Sequence, residues 1–97
     1  MPLFAVTYTY AVDSSGARDE VRPSHVEFLR SLRGVDRLVT SGPLADPDGA
    51  LLVVRGDDAG EVTAMMDGDP FYRADLVAGR TVRPWSPYFG GLVEGRE

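Results

Sequence analysis

Histidine occurs once in this sequence, at position 25, while cysteine and lysine do not occur at all. Those facts confine the chemistry. Without cysteine there are no disulfides, thiol nucleophiles or thiolate-held metals, and without lysine there is no Schiff base. What remains is one imidazole, the side chain suited to exchanging protons near neutral pH. Every one of the ten basic residues is arginine, and the planar guanidinium grips carboxylates and phenolates through paired hydrogen bonds; codon usage explains the same bias without any function. A single histidine leaves zinc or iron short of nitrogen and sulfur ligands, so no transition metal is expected, although a carboxylate-held Mg²⁺ stays open. Gly34, Gly42 and Gly49 are separated by strands and turns and form no phosphate-cradling loop. No cofactor is implied.

The elements around His25 follow from local signals. Pro23 suits the first position of a helix and Gly34 suits a left-handed position just past its end, so the segment from Arg22 to Gly34 reads as a helix with both a start and a stop. Spacings of three and four set His25, Phe28 or Leu29, and Leu32 on one side and Glu27, Arg30 and Arg33 mostly on the other. The imidazole therefore falls on or beside the buried stripe, near the helix start. Residues 13–21 are polar, contain Gly16 and read as a mobile loop.

The remaining pattern is mostly strand. Leu3 to Val12 alternates with no charge on either face, and Val35 to Thr40 makes a second strand closed by Ser41-Gly42-Pro43, where the proline must end the strand or lie at an edge. Asp46-Pro47-Asp48-Gly49 has the residue preferences of a type I turn, and the continuously apolar Ala50 to Val54 returns as a strand covered on both faces. Asp58 and Glu61 form a capping pair for a second helix with Val62, Met65 and Met66 inward and Gly68 as its stop. Asp69-Pro70 reads as the cap and first residue of one more helical turn, with Phe71, Tyr72 and Leu76 inward, and Arg80 to Trp85 makes the last strand. Strand, helix, strand, strand, helix, strand is the βαββαβ order of the α+β, ferredoxin-like fold with an antiparallel sheet. Its first and third strands are central. Both are apolar on two faces here, and helices cover only one, so a second sheet from an identical chain is expected on the other.

A chain of 97 residues makes one domain, here a core over 3–86 and a tail over 87–97. Its net charge of −5 repels nucleic acid and anionic lipid. The apolar runs are too short to span a bilayer and the N-terminus lacks a secretory pattern, which makes the expected location cytoplasmic.

With Arg22-x-x-His25, Ser41-Gly42-Pro43-Leu44, Asp69-Pro70-Phe71 and Arg83-Pro84-Trp85 in this order, the chain resembles the YCII-related (YciI-like) family from about residue 3 to 86. The resemblance implies a ferredoxin-like subunit in a dimeric α+β barrel, and a pocket in which His25 and Asp69 form an acid–base pair. It also implies that some relatives are dehydrochlorinases of chlorinated hydroxyhydroquinones. Relatives by fold include muconolactone isomerases and cofactor-free monooxygenases. The polar loop and the aromatic, glycine-rich tail after Trp85 depart from the short family pattern.

Each site residue has two readings. His25 and Asp69 could act as base and orienting carboxylate, or His25 could simply pack at a helix start while Asp69 caps the turn begun by Pro70. Arg22, one turn before His25, could hold a carboxylate or an enolate-like oxyanion, or be a solvated charge. Arg83 could do the same or pair with a carboxylate. Ser41 could hydrogen-bond a substrate or merely serve the turn beside Gly42. Tyr8, Tyr10, Tyr72 and Trp85 could line a pocket or fill a core. Two functions follow: a cofactor-independent lyase or isomerase acting on a small cyclic or aromatic anion with His25 and Asp69 catalytic and Arg22, Ser41 and Arg83 binding substrate, or a non-catalytic homodimeric module that binds a small ligand or a protein.

Overall fold

The computed structural model describes residues 1–91. Seven elements follow one another as β1 (Leu3–Tyr10), α1 (Ser15–Gly34), β2 (Leu38–Leu44), β3 (Gly49–Arg55), α2 (Ala59–Met66), α3 (Pro70–Arg73) and β4 (Val77–Trp85). The strands form one antiparallel sheet in the order β2-β3-β1-β4. This is the ferredoxin-like arrangement, with β1 and β3 central and the two proline-containing strands, β2 with Pro43 and β4 with Pro84, at the edges. Edge placement is what a residue without an N–H allows.

The alternation of β1 sends Phe4, Val6 and Tyr8 to the helix side, where they meet Leu52 and Val54 of β3, Leu32 of α1 and Val62 and Met66 of α2 in a continuous buried cluster. Gly49 pairs with Thr9 so closely that a Cβ there would lie 2.0 Å from the Tyr8 carbonyl oxygen. Asp58 caps α2 by accepting from the Glu61 backbone N–H. The Glu61 carboxylate accepts from the Asp57 N–H and from Arg37, and the Arg37 hydrogen bond holds its pKa below the usual carboxylate range. Asp69 caps α3 by accepting from the Phe71 N–H, with Pro70 in the first turn.

The first helix differs from the sequence expectation at both ends. It begins at Ser15 rather than Arg22, so Pro23 is interior and residues 15–21 are helix rather than loop. An interior proline removes a backbone bond and clashes with the preceding turn, but the first turns are tied down by tertiary contacts: Arg18 is buried, its Nε donates to Ser14 Oγ, its Nη2 to Asp48 Oδ2, and its guanidinium lies over the Tyr10 ring. At the other end Gly34 is helical and Val35 is the C-cap. Asp36 takes the left-handed conformation at φ 59°, and the Asp36 N–H to Arg33 and Arg37 N–H to Leu32 bonds complete a Schellman motif. β2 consequently starts at Leu38, three residues later than expected, and runs through Pro43; β4 starts earlier, at Val77. β1 ends at Tyr10, with Asp13 at positive φ beyond it.

The sheet face away from the helices carries Leu3, Ala5 and Thr7 of β1, Leu51 and Val53 of β3, and Thr81, Arg83 and Trp85 of β4, by register. Leu51 and Trp85 are 37% and 40% exposed. Val53 on the same face is 3% exposed, so the face is open only in part. Tyr88 and Phe89 of the tail are also exposed, while Leu92 and Val93 lie outside the described residues.

Candidate functional site

One side of α1 carries Arg18, Arg22, His25, Val26 and Leu29, at spacings that keep them in line along the axis. This stripe faces the inner surface of β2 and β3 at the open end of the sheet. Between them lies a cavity of about 370 Å³, to which Tyr10, Ser41, Pro43 and Phe71 also contribute. Five elements, β1, α1, β2, β3 and α3, therefore meet at one opening.

Behind the cavity, Asp69 is fully buried. Its Oδ1 lies 2.7 Å from His25 Nδ1 and 2.9 Å from the Phe71 N–H, and its Oδ2 accepts from the Tyr8 hydroxyl at 2.8 Å. A carboxylate offers only acceptors, so the proton in the His25 contact sits on Nδ1, and in the neutral ring Nε2 is the nitrogen that carries the lone pair. The ring is held in plane by Phe71, stacked on it at 3.9 Å between centroids with 6° between planes. A hydrogen bond at one nitrogen and a stacked face leave the imidazole one orientation. Burial, then the adjacent Asp69 carboxylate, pushes the Tyr8 hydroxyl far above the ordinary phenol range, so it remains a donor. Tyr10 is also raised, chiefly by burial, with Arg18 opposing.

The YCII-related domain matches residues 3–86. The chain belongs to the YCII-related family. No curated protein matches the sequence. Among solved structures it is similar to 5-chloro-2-hydroxyhydroquinone dehydrochlorinase (TftG) from Burkholderia phenoliruptrix AC1100, in complex with 2,5-dihydroxybenzoquinone, with a TM-score of 0.76, 24% identity, and coverage of 87% of this chain and 93% of that one. An uncharacterized NIPSNAP domain protein from Burkholderia xenovorans matches at TM-score 0.54 and 12% identity, over 90% and 94% of the two chains. A protein from Nitrosomonas europaea assigned to antibiotic biosynthesis monooxygenases matches at 0.53 and 18%, over 92% and 100%. These likenesses show the fold, that of the dimeric α+β barrel proteins.

Of the site residues expected in this YCII-related chain, His25, Arg22 and Ser41 line the cavity and Asp69 touches His25 from behind. Arg22 is partly exposed, bonded to Asp19, with its guanidinium 5.8 Å from the Phe71 ring centroid. Arg83 is elsewhere. On β4 it pairs with Ala5 of β1, on the face turned away from the helices, so the structure does not bring it to the cavity. Tyr72 is at the surface with Arg80 over its ring, and Trp85 is on the outer face. Tyr8 and Tyr10 flank the site.

Sequence reasoning did not single out Arg18, Phe71 as a stacking partner, or Tyr8 as a partner of Asp69. The signal for Arg18 was its position four before Arg22 and seven before His25, the spacing of one helix face, which reading residues 13–21 as a loop concealed. Among the described residues, no three His, Cys, Asp or Glu side chains cluster to hold a metal ion. No described helix is long and apolar enough to cross a membrane.

Proposed function

We propose that this YCII-related protein is a cofactor-independent lyase or isomerase, dehydrochlorinase-like, that removes a proton from a small cyclic or aromatic anionic metabolite. The observation that carries this reading is the His25 Nδ1 to Asp69 Oδ1 contact of 2.7 Å on a ring that lines the cavity. Asp69 orients the imidazole and stabilises the cation formed when Nε2 accepts a proton, which is how a carboxylate serves a histidine base. Arg22 supplies positive charge for the substrate's anionic group and for the oxyanion that grows as the proton leaves. The Ser41 hydroxyl, at the opposite wall, can hydrogen-bond a substrate oxygen. In a dehydrochlorination the substrate proton passes to Nε2, the electron pair of the broken bond forms a new double bond, and chloride departs to solvent. The similar fold of an enzyme named for that reaction supports this choice within the lyases.

The exposed apolar residues on the outer face of the sheet, Leu51 and Trp85, support a homodimer in which two sheets pack together. A face-to-face pairing would bury Leu51 and Trp85 of both chains while leaving the His25 cavities open on the helix side.

The test is chloride release from 5-chloro-2-hydroxyhydroquinone by the purified protein. Turnover that vanishes in His25→Gln, with fold and melting temperature retained, is the expected result. Equal rates for wild type and His25→Gln would overturn it.

A further inference from the structure

The cavity contains a cation that the proposed chemistry has not used. Arg18 is 8% exposed, yet it contributes to the cavity wall. Burying a guanidinium is costly unless its donors are met. Nε donates to Ser14 Oγ at 3.0 Å, Nη2 donates to Asp48 Oδ2, and the plane lies 4.1 Å over the Tyr10 ring centroid. Nη1 makes no hydrogen bond among the described residues. Three contacts thus immobilise the fork with one edge unused, whereas Arg22 has a side chain 44% exposed and bonded to Asp19. A guanidinium ordered in advance binds a planar anion with less entropy lost than a mobile one.

We propose that Arg18 is the principal anion-binding residue of this cavity, and that its ligand is a single planar ring bearing an anionic oxygen group, a carboxylate or an ionised phenol, at the end remote from His25. Arg18 and His25 are seven residues apart on one helix face, roughly 10 Å along the axis, and their side chains reach into the same space. That span accommodates one substituted ring. Tyr10 lies beneath Arg18 and Phe71 beside His25, and the two rings meet edge to face at 5.8 Å between centroids, a continuous aromatic wall for the ring. Arg18 and Arg22 stand four apart on the lining face, and although Asp48 and Asp19 each pair with one of them, they give the cavity two guanidinium groups on one wall. The proposal deepens the reading of the same cavity as a site for anionic metabolites, but it concerns binding and does not require turnover.

The experiment is equilibrium binding by calorimetry, with the shift of the single imidazole as a second readout. The probes are 2,5-dihydroxybenzoate, its uncharged carboxamide and 2,5-dihydroxybenzoquinone. Wild type should bind one or both acidic rings at least tenfold more tightly than the amide, and the stronger of the two tells carboxylate from phenolate. Arg18→Met should lose about tenfold to a hundredfold in affinity for the acid and little for the amide, as expected for a charged hydrogen bond. Arg18→Lys should recover part of the loss, and Arg22→Met should cost less than Arg18→Met. Asp48→Asn should tighten the acid, because it removes the competing carboxylate. A purely structural Arg18–Asp48 tie predicts otherwise: both variants would lower the melting temperature while leaving the acid-to-amide ratio untouched, and that result overturns the proposal. So does failure of either acid to bind more tightly than the amide. Acid-selective binding without chloride release would retain the anion site and reject the dehydrochlorinase reading, whereas turnover with an unchanged KM in Arg18→Met would do the reverse.

Discussion

Replacing Tyr8 by phenylalanine tests the network behind His25 without touching the cavity. The hydroxyl donates to Asp69 Oδ2 at 2.8 Å, and both groups are buried. Hydrogen bonds to charged groups contribute about 1.5–3 kcal/mol, so Tyr8→Phe should lower stability at pH 7 by that amount and the melting temperature by about 6–24 °C for a chain of this size. The pH dependence makes the prediction sharper. The Tyr8 pKa is raised by burial and by Asp69, so the unfolded phenol, near 10, ionises first. The stability that Tyr8 contributes is therefore fully present below about pH 10 and declines above it, with a limiting slope of about 1.4 kcal/mol per pH unit. Between pH 10 and 11 the wild type should lose about 1 kcal/mol more than Tyr8→Phe, allowing for partial ionisation at pH 10. Tyr10, also raised, is present in both proteins and cancels. Urea unfolding at pH 7, 9, 10 and 11, at one protein concentration, measures the gap directly. A gap below about 0.5 kcal/mol at pH 7, or one constant from pH 8 to 11, would refute the Tyr8–Asp69 bond.

Three further outcomes are expected. Asp69→Ala strands the Tyr8 hydroxyl, the Phe71 N–H and His25 Nδ1 and should cost about 3–5 kcal/mol, while Asp69→Asn, which keeps an acceptor at Oδ1, should cost clearly less in the same urea assay; the opposite order would contradict the bonding. Gly49→Ala should destabilise by more than about 2 kcal/mol because its Cβ meets the Tyr8 backbone oxygen, whereas Gly34→Ala, helical with nothing within 4 Å, should gain about 0.5–1 kcal/mol, both read by thermal melting. Sedimentation of the wild type at micromolar concentration should give the mass of two chains, with Leu51→Glu dissociating them and removal of everything after Ser86 weakening the pair through loss of Tyr88 and Phe89; a one-chain mass for the wild type would refute the outer-face pairing.

Much of the fold was legible because its signals are local. The alternation of Phe4, Val6 and Tyr8, the Asp58–Glu61 cap and the Asp69-Pro70 cap each depend on residues within a few positions, and the apolar run of β3 announces a central strand. The contacts of His25 and Asp69 were a different matter: the residues, 44 apart, came together in the reading only through a family resemblance. The start of α1 was illegible because Pro23 penalises a helix interior by about 3 kcal/mol on local propensity, and what overrides it is Arg18 reaching Ser14, Asp48 and Tyr10, the last two of which lie in the β2–β3 turn and on β1. The same override hid Arg18 from the site. Arg83 shows the limit of alternation: it lies opposite Val82 in any strand, but which of the two faces the helices is settled by the pairing of β4 with β1, Val6 with Val82 and Ala5 with Arg83. Periodicity is a property of the chain alone, whereas register and the burial of a charge belong to the elements that pack against it. For that reason the sequence by itself determined the strand and helix order and the identity of the one available base, and only the tertiary structure decided that Arg18 rather than Arg83 shares the cavity with that base and which tyrosine steadies the carboxylate behind it.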